Sequence, residues 1–327
     1  MKRKLWYILP LLLLLTVTAG LCFGSQSIPL PQLAAALGGR GEDTVGLILW
    51  QLRLPRVMAG VLAGAALSAA GVLLQTVTAN DLASPNVIGI NSGAGLAVIL
   101  LLTFLPGAGA LTSIGAFFGA FAAACLILAA GSRVGSSRGT LLLIGIAVTT
   151  VLNAVISFLS LLDEGVLAEY NYFTVGSLKA VRWGDLTAPA VIIAGAAGCA
   201  MVLAARLDVL RLGDAAASAL GIRVKQLRLY AAACAAACAA AVVSFAGLLG
   251  FVGLIVPHIA RKLVGSKTAR VIPAAMCIGS ILVVLADLLG RTLFAPSELP
   301  VGILMSMVGA PYFLSLLCRR KKYADMA

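Results

Sequence analysis

Residues able to carry out catalysis are scarce in this sequence, and their spacing matches no catalytic or nucleotide-binding constellation. The only histidine, His258, has no acidic or cysteine neighbour that could serve as a base partner or complete a metal site. Residues 265–268 (GSKT) end like a phosphate-binding loop, but the G-x-x-x-x-G-K-[ST] spacing is missing. We therefore predict that the chain is not an enzyme and carries no cofactor of its own.

The cysteines offer no metal site either. There are seven, all in or at the edge of apolar segments, and none forms a C-x-x-C pair. Cys234 and Cys238 lie one helical turn apart, which could hold a metal, but the surrounding alanines supply no third ligand. We interpret both as small packing residues and predict no metal site.

Uncharged polar residues line one face of a predicted helix. Thr149, Asn153, Ser157 and Ser160 follow at spacings of four, four and three, which places them on the same side. Hydroxyl and amide groups suit a path for a bulky polar solute that must not bind tightly. They equally suit hydrogen bonds between helices in lipid, and both interpretations stay open.

The elements that must position these residues are membrane-spanning helices. Of 327 residues, 61% are hydrophobic and 11% charged, whereas soluble domains are about half apolar and a quarter charged. The apolar residues fall into segments of about twenty, the length that crosses a bilayer as a helix. We predict an all-α polytopic membrane protein with about ten segments, at residues 5–24, 57–77, 87–105, 111–131, 140–162, 186–205, 229–249, 250–260, 271–289 and 301–318.

Basic residues orient these segments. The net charge of +12 comes from short loops between apolar segments, so it indicates the positive-inside rule and not nucleic-acid binding. With the N-terminus inside, 18 basic residues are cytoplasmic and 6 are not. We predict a multi-pass protein of the cytoplasmic membrane in contact with lipid, with a retained first helix and both termini cytoplasmic. The six outer basic residues are Arg40, Arg53, Arg56, Lys179, Arg182 and Arg291.

One stretch is too short for two full crossings. Only 32 residues separate Arg228 and Arg261, which are both predicted inside, whereas two spans need about forty. Glycines at 247, 250 and 253 and Pro257 interrupt this stretch. We predict a short or broken helix near 250–260, which lines a polar cavity, belongs to a moving part or is a kinked packing helix.

Small residues at intervals of four predict close helix packing. Gly60, Gly64 and Ser68 form such a ridge, as do Gly89 and Gly93. Ridges of this kind let backbones approach closely in lipid. They predict a compact bundle and carry no information about a substrate.

Four groups of residues, spread over nearly the whole chain, carry long and specific motifs. They are RLPRV at 53–57 with GAAL at 64–67 and GVLLQ at 71–75; NDLASP at 80–85 with GINSGA at 89–94; VGSL at 175–178 with Trp183; and GFVGLIVPHIAR at 250–261, continued by AD at 286–287, Arg291, ELPVGI at 298–303 and GAP at 309–311. In this order they closely resemble the FecCD family of ABC-importer permeases, which import iron–siderophores, haem and vitamin B12.

The resemblance implies one permease domain over 1–327 with the type II ABC importer fold. It implies a dimer with a second copy or a paralogue, two ATPase subunits that bind the ATP, and an extracytoplasmic binding protein that delivers a metal chelate. In the family, the arginines that match Arg53, Arg56 and Arg291 pair with acids of the binding protein, which sets docking register and association rate. Alternatively, Arg53 and Arg56 anchor their helix at lipid headgroups.

The resemblance also places the contact with the ATPase and a gate. The cytoplasmic loop 206–228 looks like the coupling loop, and its short helix has Asp214 as the predicted N-cap and Gly221 as the stop. The gate is expected near residues 80–85 and 136–140. In the first of these segments, many relatives have proline in place of Asp81. An extracytoplasmic helix or loop covers 163–186. The predicted coupling residues are Leu212, Gly213, Asp214, Ala217, Leu220 and Gly221, and those of the gate or path are Asn80, Ser137, Thr149, Asn153, Ser157 and Ser160.

We therefore expect the permease subunit of an ABC importer for a metal chelate, in particular an iron–siderophore complex. Vitamin B12 or haem is the alternative within the family. A secondary carrier driven by an ion gradient is the rival from another class. Such carriers bury carboxylates or histidines along their path, and here Asp287 is the main ionisable residue within an apolar segment.

Overall fold

The structure, a computed structural model, describes residues 2–24, 27–38, 43–85, 89–107, 109–134, 138–295 and 297–324. These residues form helices and connecting turns, with no strand among them. The helices are α1 (Lys2–Cys22), α2 (Leu30–Leu37), α3 (Asp43–Leu47), a π-helical turn (Ile48–Arg53), α4 (Leu54–Thr78), α5 (Ile90–Phe104), α6 (Gly109–Val134), α7 (Arg138–Ser160), α8 (Glu164–Val175), α9 (Trp183–Leu210), α10 (Asp214–Ala219), α11 (Val224–Ala246), α12 (Val252–Val264), α13 (Thr268–Thr292) and α14 (Val301–Ala324).

The predicted all-α membrane architecture is confirmed, and each of the ten apolar segments coincides with a helix. Within the described residues, seven helices are long and apolar enough to cross a membrane. Helix α5 and the first part of α14 are apolar but shorter, and α12 has only 13 residues. Ten is therefore an approximate number of spans. Following the predicted orientation, we call the end that holds the C-terminus of α1 the outer end, and the opposite one the inner end.

Helix α4 forms the centre of the bundle and packs against α13, α11, α12 and α9. Glycines make these contacts possible, as predicted. Gly64 meets the backbone of Gly279 in α13 so closely that a side chain on either would collide with the other. Gly71 meets the carbonyl group of Gly253 in α12 in the same way. Such approaches strengthen dispersion contacts between helices where lipid removes the hydrophobic driving force.

The predicted interruption lies between α11 and α12. Gly247 and Phe251 have positive φ angles of 68° and 64°, so the chain leaves the helix at the first residue and enters the next at the second. The backbone N–H group of Leu248 donates to the carbonyl oxygen of Phe173 in α8 at 3.4 Å, and that of Ser177 donates to Ala246 at 2.9 Å. Neighbouring backbone thus satisfies the polar groups that the break exposes.

Candidate functional site

The outer end contains an ion-pair cluster that connects α4 to α13 and to the segment that precedes α14. The Arg56 guanidinium donates to both carboxylate oxygens of Asp287, at 2.9–3.0 Å, and to Glu298 at 2.9 Å. The Arg56 and Asp287 side chains are only 11% and 5% exposed, and Arg291 lies 3.5 Å from Asp287. Buried charges are retained when they are paired in this way, so the cluster fixes the relative position of three chain segments.

Arg53 and Arg291, also at the outer end, hold the end of α1. Arg53 donates to the carbonyl oxygens of Leu21 and Cys22, at 2.6 and 2.9 Å. Arg291 donates to that of Gly20 at 2.5 Å. The last carbonyl groups of a helix have no partner within it and form the negative end of its dipole, so cations are favoured there.

These contacts give a structural reason for basic residues at the outer end. Arg53 and Arg291 are 6% and 3% exposed, so their main partners belong to the chain itself. Docking of a binding protein at Arg53, Arg56 and Arg291 stays a prediction. Sequence reasoning missed the contacts with α1, because backbone acceptors carry no residue-type signal.

At the inner end, the predicted coupling loop forms α10. Leu212 and Leu220 are 69% and 65% exposed on either side of it, whereas Ala217 is buried. Gly221 has a φ angle of 78°, and the N–H groups of Gly221 and Ile222 donate to Ser218 and Ala217, which confirms Gly221 as the stop. The loop thus presents two exposed leucines on a short, well-ended helix.

The start of α10 differs from the prediction. The cap is Gly213, with a φ angle of 102°, and Asp214 is the first helical residue. The Asp214 carboxylate accepts instead from Arg228 in α11 at 2.8 Å. Gly213 adopts a conformation that side chains disfavour, which moves the start by one residue. Asp214 therefore connects α10 to α11.

The polar face of α7 is largely uncovered within this chain. Asn153 and Ser157 are exposed, and Ser160 donates to the Ile156 carbonyl group of its own helix at 2.8 Å. The Thr149 hydroxyl is buried without a hydrogen-bond partner among the described residues. These contacts provide no bonds between helices for this face, and a role in the path stays a prediction.

The predicted gate residues are only partly described. Asn80 follows α4, and its side-chain oxygen accepts from the N–H group of Leu82 at 2.9 Å, which shapes the turn. Ser137 lies outside the described residues. Asp81 reaches α12, where it lies 3.5 Å from Arg261.

A second inner contact was not predicted. The Gln75 amide group donates to the carbonyl oxygens of Gly253 and Leu254 at 3.4 and 3.3 Å, and its oxygen accepts from Arg261 at 2.5 Å. Pro257 has no N–H group, so the Gly253 carbonyl four residues earlier lacks its helical donor. An amide within an otherwise apolar segment, together with this proline, was the available signal.

A cavity of about 440 Å³ opens near the outer ends of α5, α6, α8 and α11. Glu169, Tyr172 and Asp185 contribute polar groups to its wall, and Val98 and Phe245 contribute apolar ones. Among the described residues, no group of three or more histidine, cysteine or acidic side chains could hold a metal ion.

Comparison with known proteins identifies the family. The model of the FecCD transport family matches residues 12–319, nearly the whole chain. The chain belongs to the FecCD transport family. A FecCD-family chain is a transport permease subunit, so the predicted class is confirmed, and no catalytic activity is indicated.

Several relatives of this FecCD-family chain have named cargo. The Fe(3+)-citrate import system permease protein YfmE of Bacillus subtilis (strain 168) is 37% identical, over 97% of this chain and 96% of its own. The hemin transport system permease protein HmuU of Yersinia pestis is 36% identical, over 86% of each. The Fe(3+) dicitrate transport system permease protein FecC of Escherichia coli (strain K12) is 36% identical, over 88% and 87%.

A solved structure shares the fold. It is described as an inward-facing conformation of a transporter assigned to the metal-chelate type of ABC transporter. The two chains align with a TM-score of 0.88 and 28% identity, over 97% of this chain and 99% of the other. The FecCD-family chain is thus a multi-pass permease of an ABC importer of the iron-chelate and haem class.

Proposed function

We propose that the chain imports a ferric chelate, in particular an iron–siderophore complex, across the cytoplasmic membrane. The family match over residues 12–319 carries this proposal, together with relatives named for Fe(3+)-citrate and siderophore transport. A second copy or a paralogue completes the pathway, two ATPase subunits hydrolyse ATP, and an extracytoplasmic binding protein delivers the cargo. Both termini are cytoplasmic.

The substrate path in this proposal runs along α7. Asn153 and Ser157 are exposed on a helix whose membrane-spanning part is only 17% buried within the chain. An uncharged polar face offers weak hydrogen bonds to a large polar chelate and no fixed charge that would retain it. Glutamate or histidine at these positions would be typical of ion-coupled transport instead.

Coupling to ATP hydrolysis occurs through α10. Leu212 and Leu220 are exposed apolar side chains next to a helix that Asp214 connects to α11. Apolar anchors of this kind carry much of the binding energy when a partner surface covers them. This contact would transmit movement of the ATPase from α10 to α11.

Docking of the binding protein occurs at the outer end, at Arg53, Arg56 and Arg291. Their guanidinium groups already have acceptors within the chain. Acids of the binding protein would therefore compete with these acceptors for the guanidinium groups. Glu298 is the more replaceable of the two acidic partners of Arg56, because its side chain is 17% exposed and that of Asp287 is 5%.

Reconstitution tests the transport proposal. The chain would be placed in proteoliposomes with the ATPase and binding protein encoded beside it, and uptake of ⁵⁵Fe-labelled ferric siderophore or citrate would be measured. We expect uptake to need ATP, the ATPase and the binding protein. Uptake by the chain alone, driven by an ion gradient, would contradict the proposal.

A matched pair of variants tests coupling. Leu220→Asp should lower uptake by about tenfold or more, as expected for an anchor at an interface. Leu161→Asp changes another exposed leucine, which lies at the outer end and is 86% exposed against 65% for Leu220, and should leave binding of the ATPase intact. Equal loss of ATPase binding in both variants would remove α10 from the interface.

Haem is the second candidate cargo, because the relative HmuU is named for hemin transport. The same proteoliposomes distinguish the two. Import of hemin with no import of ferric siderophore or citrate would reassign the cargo without changing the transport class.

A further inference from the structure

The contact between α4 and α12 at the inner end is built around a missing hydrogen bond. Pro257 leaves the Gly253 carbonyl without a helical donor, and the Gln75 amide group supplies one from α4 at 3.4 Å. Gln75 is 3% exposed, and one turn earlier Gly71 meets the same carbonyl group. The C-terminal part of α4 and the first part of α12 therefore form one joined unit.

Arg261 is anchored to this unit by one terminal nitrogen of its guanidinium group. It donates to the Gln75 side-chain oxygen at 2.5 Å, and its side chain is 18% exposed. A buried amide that bonds α12 through both its nitrogen and its oxygen has little freedom to move. The position of Arg261 is therefore set by α4 as well as by its own helix.

The other contact of Arg261 is loose. Asp81 lies 3.5 Å away, on the turn that follows α4, and its side chain is 58% exposed. Ala79, with a φ angle of 46°, and the Asn80 turn separate Asp81 from the end of α4. Ion pairs at such exposure are weak and break readily. The same terminal nitrogen of Arg261 thus holds a short bond to buried Gln75 and a longer contact to an exposed turn that can be released.

We propose that Arg261 is a positioning residue of the transport cycle, which latches residues 79–85 to α12 through Asp81. Gln75 keeps the guanidinium group in place when the Asp81 contact breaks. The turn can then move away from α12 and return to the same site. This inference rests on the proposed transport function, because a latch has a role only in a chain that changes conformation.

Chemical labelling of the turn tests the latch without any substrate. Leu82→Cys would be introduced into a full-length chain whose own cysteines are replaced by serine, and a membrane-impermeant maleimide would be applied to inside-out vesicles. Asp81→Asn should raise the labelling rate by roughly two- to fivefold, the range that corresponds to a partly exposed ion pair. Asp81→Glu keeps the charge and should restore the slow rate.

Two controls separate a latch from a general loss of structure. Lys262→Gln removes an exposed charge on the same turn of α12 and should leave labelling unchanged. Thermal unfolding of Asp81→Asn in detergent should match that of the parent chain. Unchanged labelling in Asp81→Asn, or an equal rise in Lys262→Gln, would overturn the proposal.

A reversible cross-link tests whether the latch must open. Asp81→Cys and Arg261→Cys would be joined in the complete transporter by a bis-methanethiosulfonate linker and then released by a reductant. We expect the link to stop ATP-driven iron uptake and its release to restore uptake. Full uptake in the linked protein would overturn the latch. Absence of uptake in the unlinked parent chain would instead count against the proposed cargo, and the labelling result would still stand.

Discussion

Replacing Asp287 by asparagine is the sharpest test of the outer cluster. Asp287 is 4% exposed, and both of its oxygens accept from Arg56 at 2.9–3.0 Å, while Arg291 lies 3.5 Å away. Asparagine keeps one acceptor but brings an amino group against two guanidinium groups. Breaking a buried pair by removing one partner costs about 3–5 kcal/mol, so Asp287→Asn should lower the free energy of unfolding by this amount.

Unfolding of the purified chain in mixed detergent micelles, followed by circular dichroism, would measure the change. Asp81→Asn is the matched control, since its ion pair is 3.5 Å long and its side chain is 58% exposed. Its loss should cost at most about 1 kcal/mol. A double variant, Arg56→Leu with Asp287→Leu, should recover part of the loss, because neither charge of this pair then stays buried without the other.

The relative size of these effects decides the interpretation. If Asp287→Asn costs no more than Asp81→Asn, the outer cluster does not hold α4 and α13 together. The single variants Arg56→Leu and Asp287→Leu complete the comparison. If the double variant loses as much free energy of unfolding as these two lose in sum, Arg56 and Asp287 do not act as a pair.

Three further outcomes are expected. Gly71→Ala should lower the free energy of unfolding by about 1–3 kcal/mol, because its methyl group would meet a backbone carbonyl of α12, whereas Gly198→Ala, with open space around it, should have no such cost in the same unfolding assay. Asp208→Ala should cost about 1–3 kcal/mol by the same measurement, since it leaves the buried N–H and hydroxyl groups of Thr268 without their acceptor; no loss would contradict this role. Asn153→Leu should reduce uptake of the ferric chelate without lowering the unfolding temperature, and full uptake would remove this residue from the path.

The spans and their packing surfaces could be predicted because they depend on local pattern. An apolar length of about twenty residues is itself the requirement for crossing lipid. The ridge of Gly60 and Gly64 packs closely against another helix, as its spacing indicates, and that helix is α13; Gly93 meets Gly119 of α6. The interruption near residue 250 followed from counting residues between two charges.

Contacts between distant segments could not be predicted in the same way. Arg56 and Asp287 are 231 residues apart, and spacing within one helix does not indicate which helices are neighbours. Arg53 and Arg291 stood out as basic residues at the outer end, but their partners are carbonyl groups of α1. Every helix end offers such groups, so nothing in the residue types pointed to this one.

The Gln75 contact could have been predicted in part. A proline within a helix always leaves a carbonyl group unpaired, and in lipid that group needs a donor. A search for such a donor would have found Gln75, one of the few amides in the apolar segments. Only the structure, however, shows that the same amide also holds Arg261.

The glycine contacts of α4 have a mechanical consequence. The backbone of α4 contacts the backbone of α13 at Gly64 and that of α12 at Gly71. No flexible side chain lies between the backbones at these contacts to adjust to a shift. Sliding α4 by even one residue would bring a neighbouring side chain into each contact and force the helices apart. We therefore expect α4, α12 and α13 to move together as one rigid body. Helix α7, whose polar face is uncovered within the chain, would move relative to them, as alternating access requires.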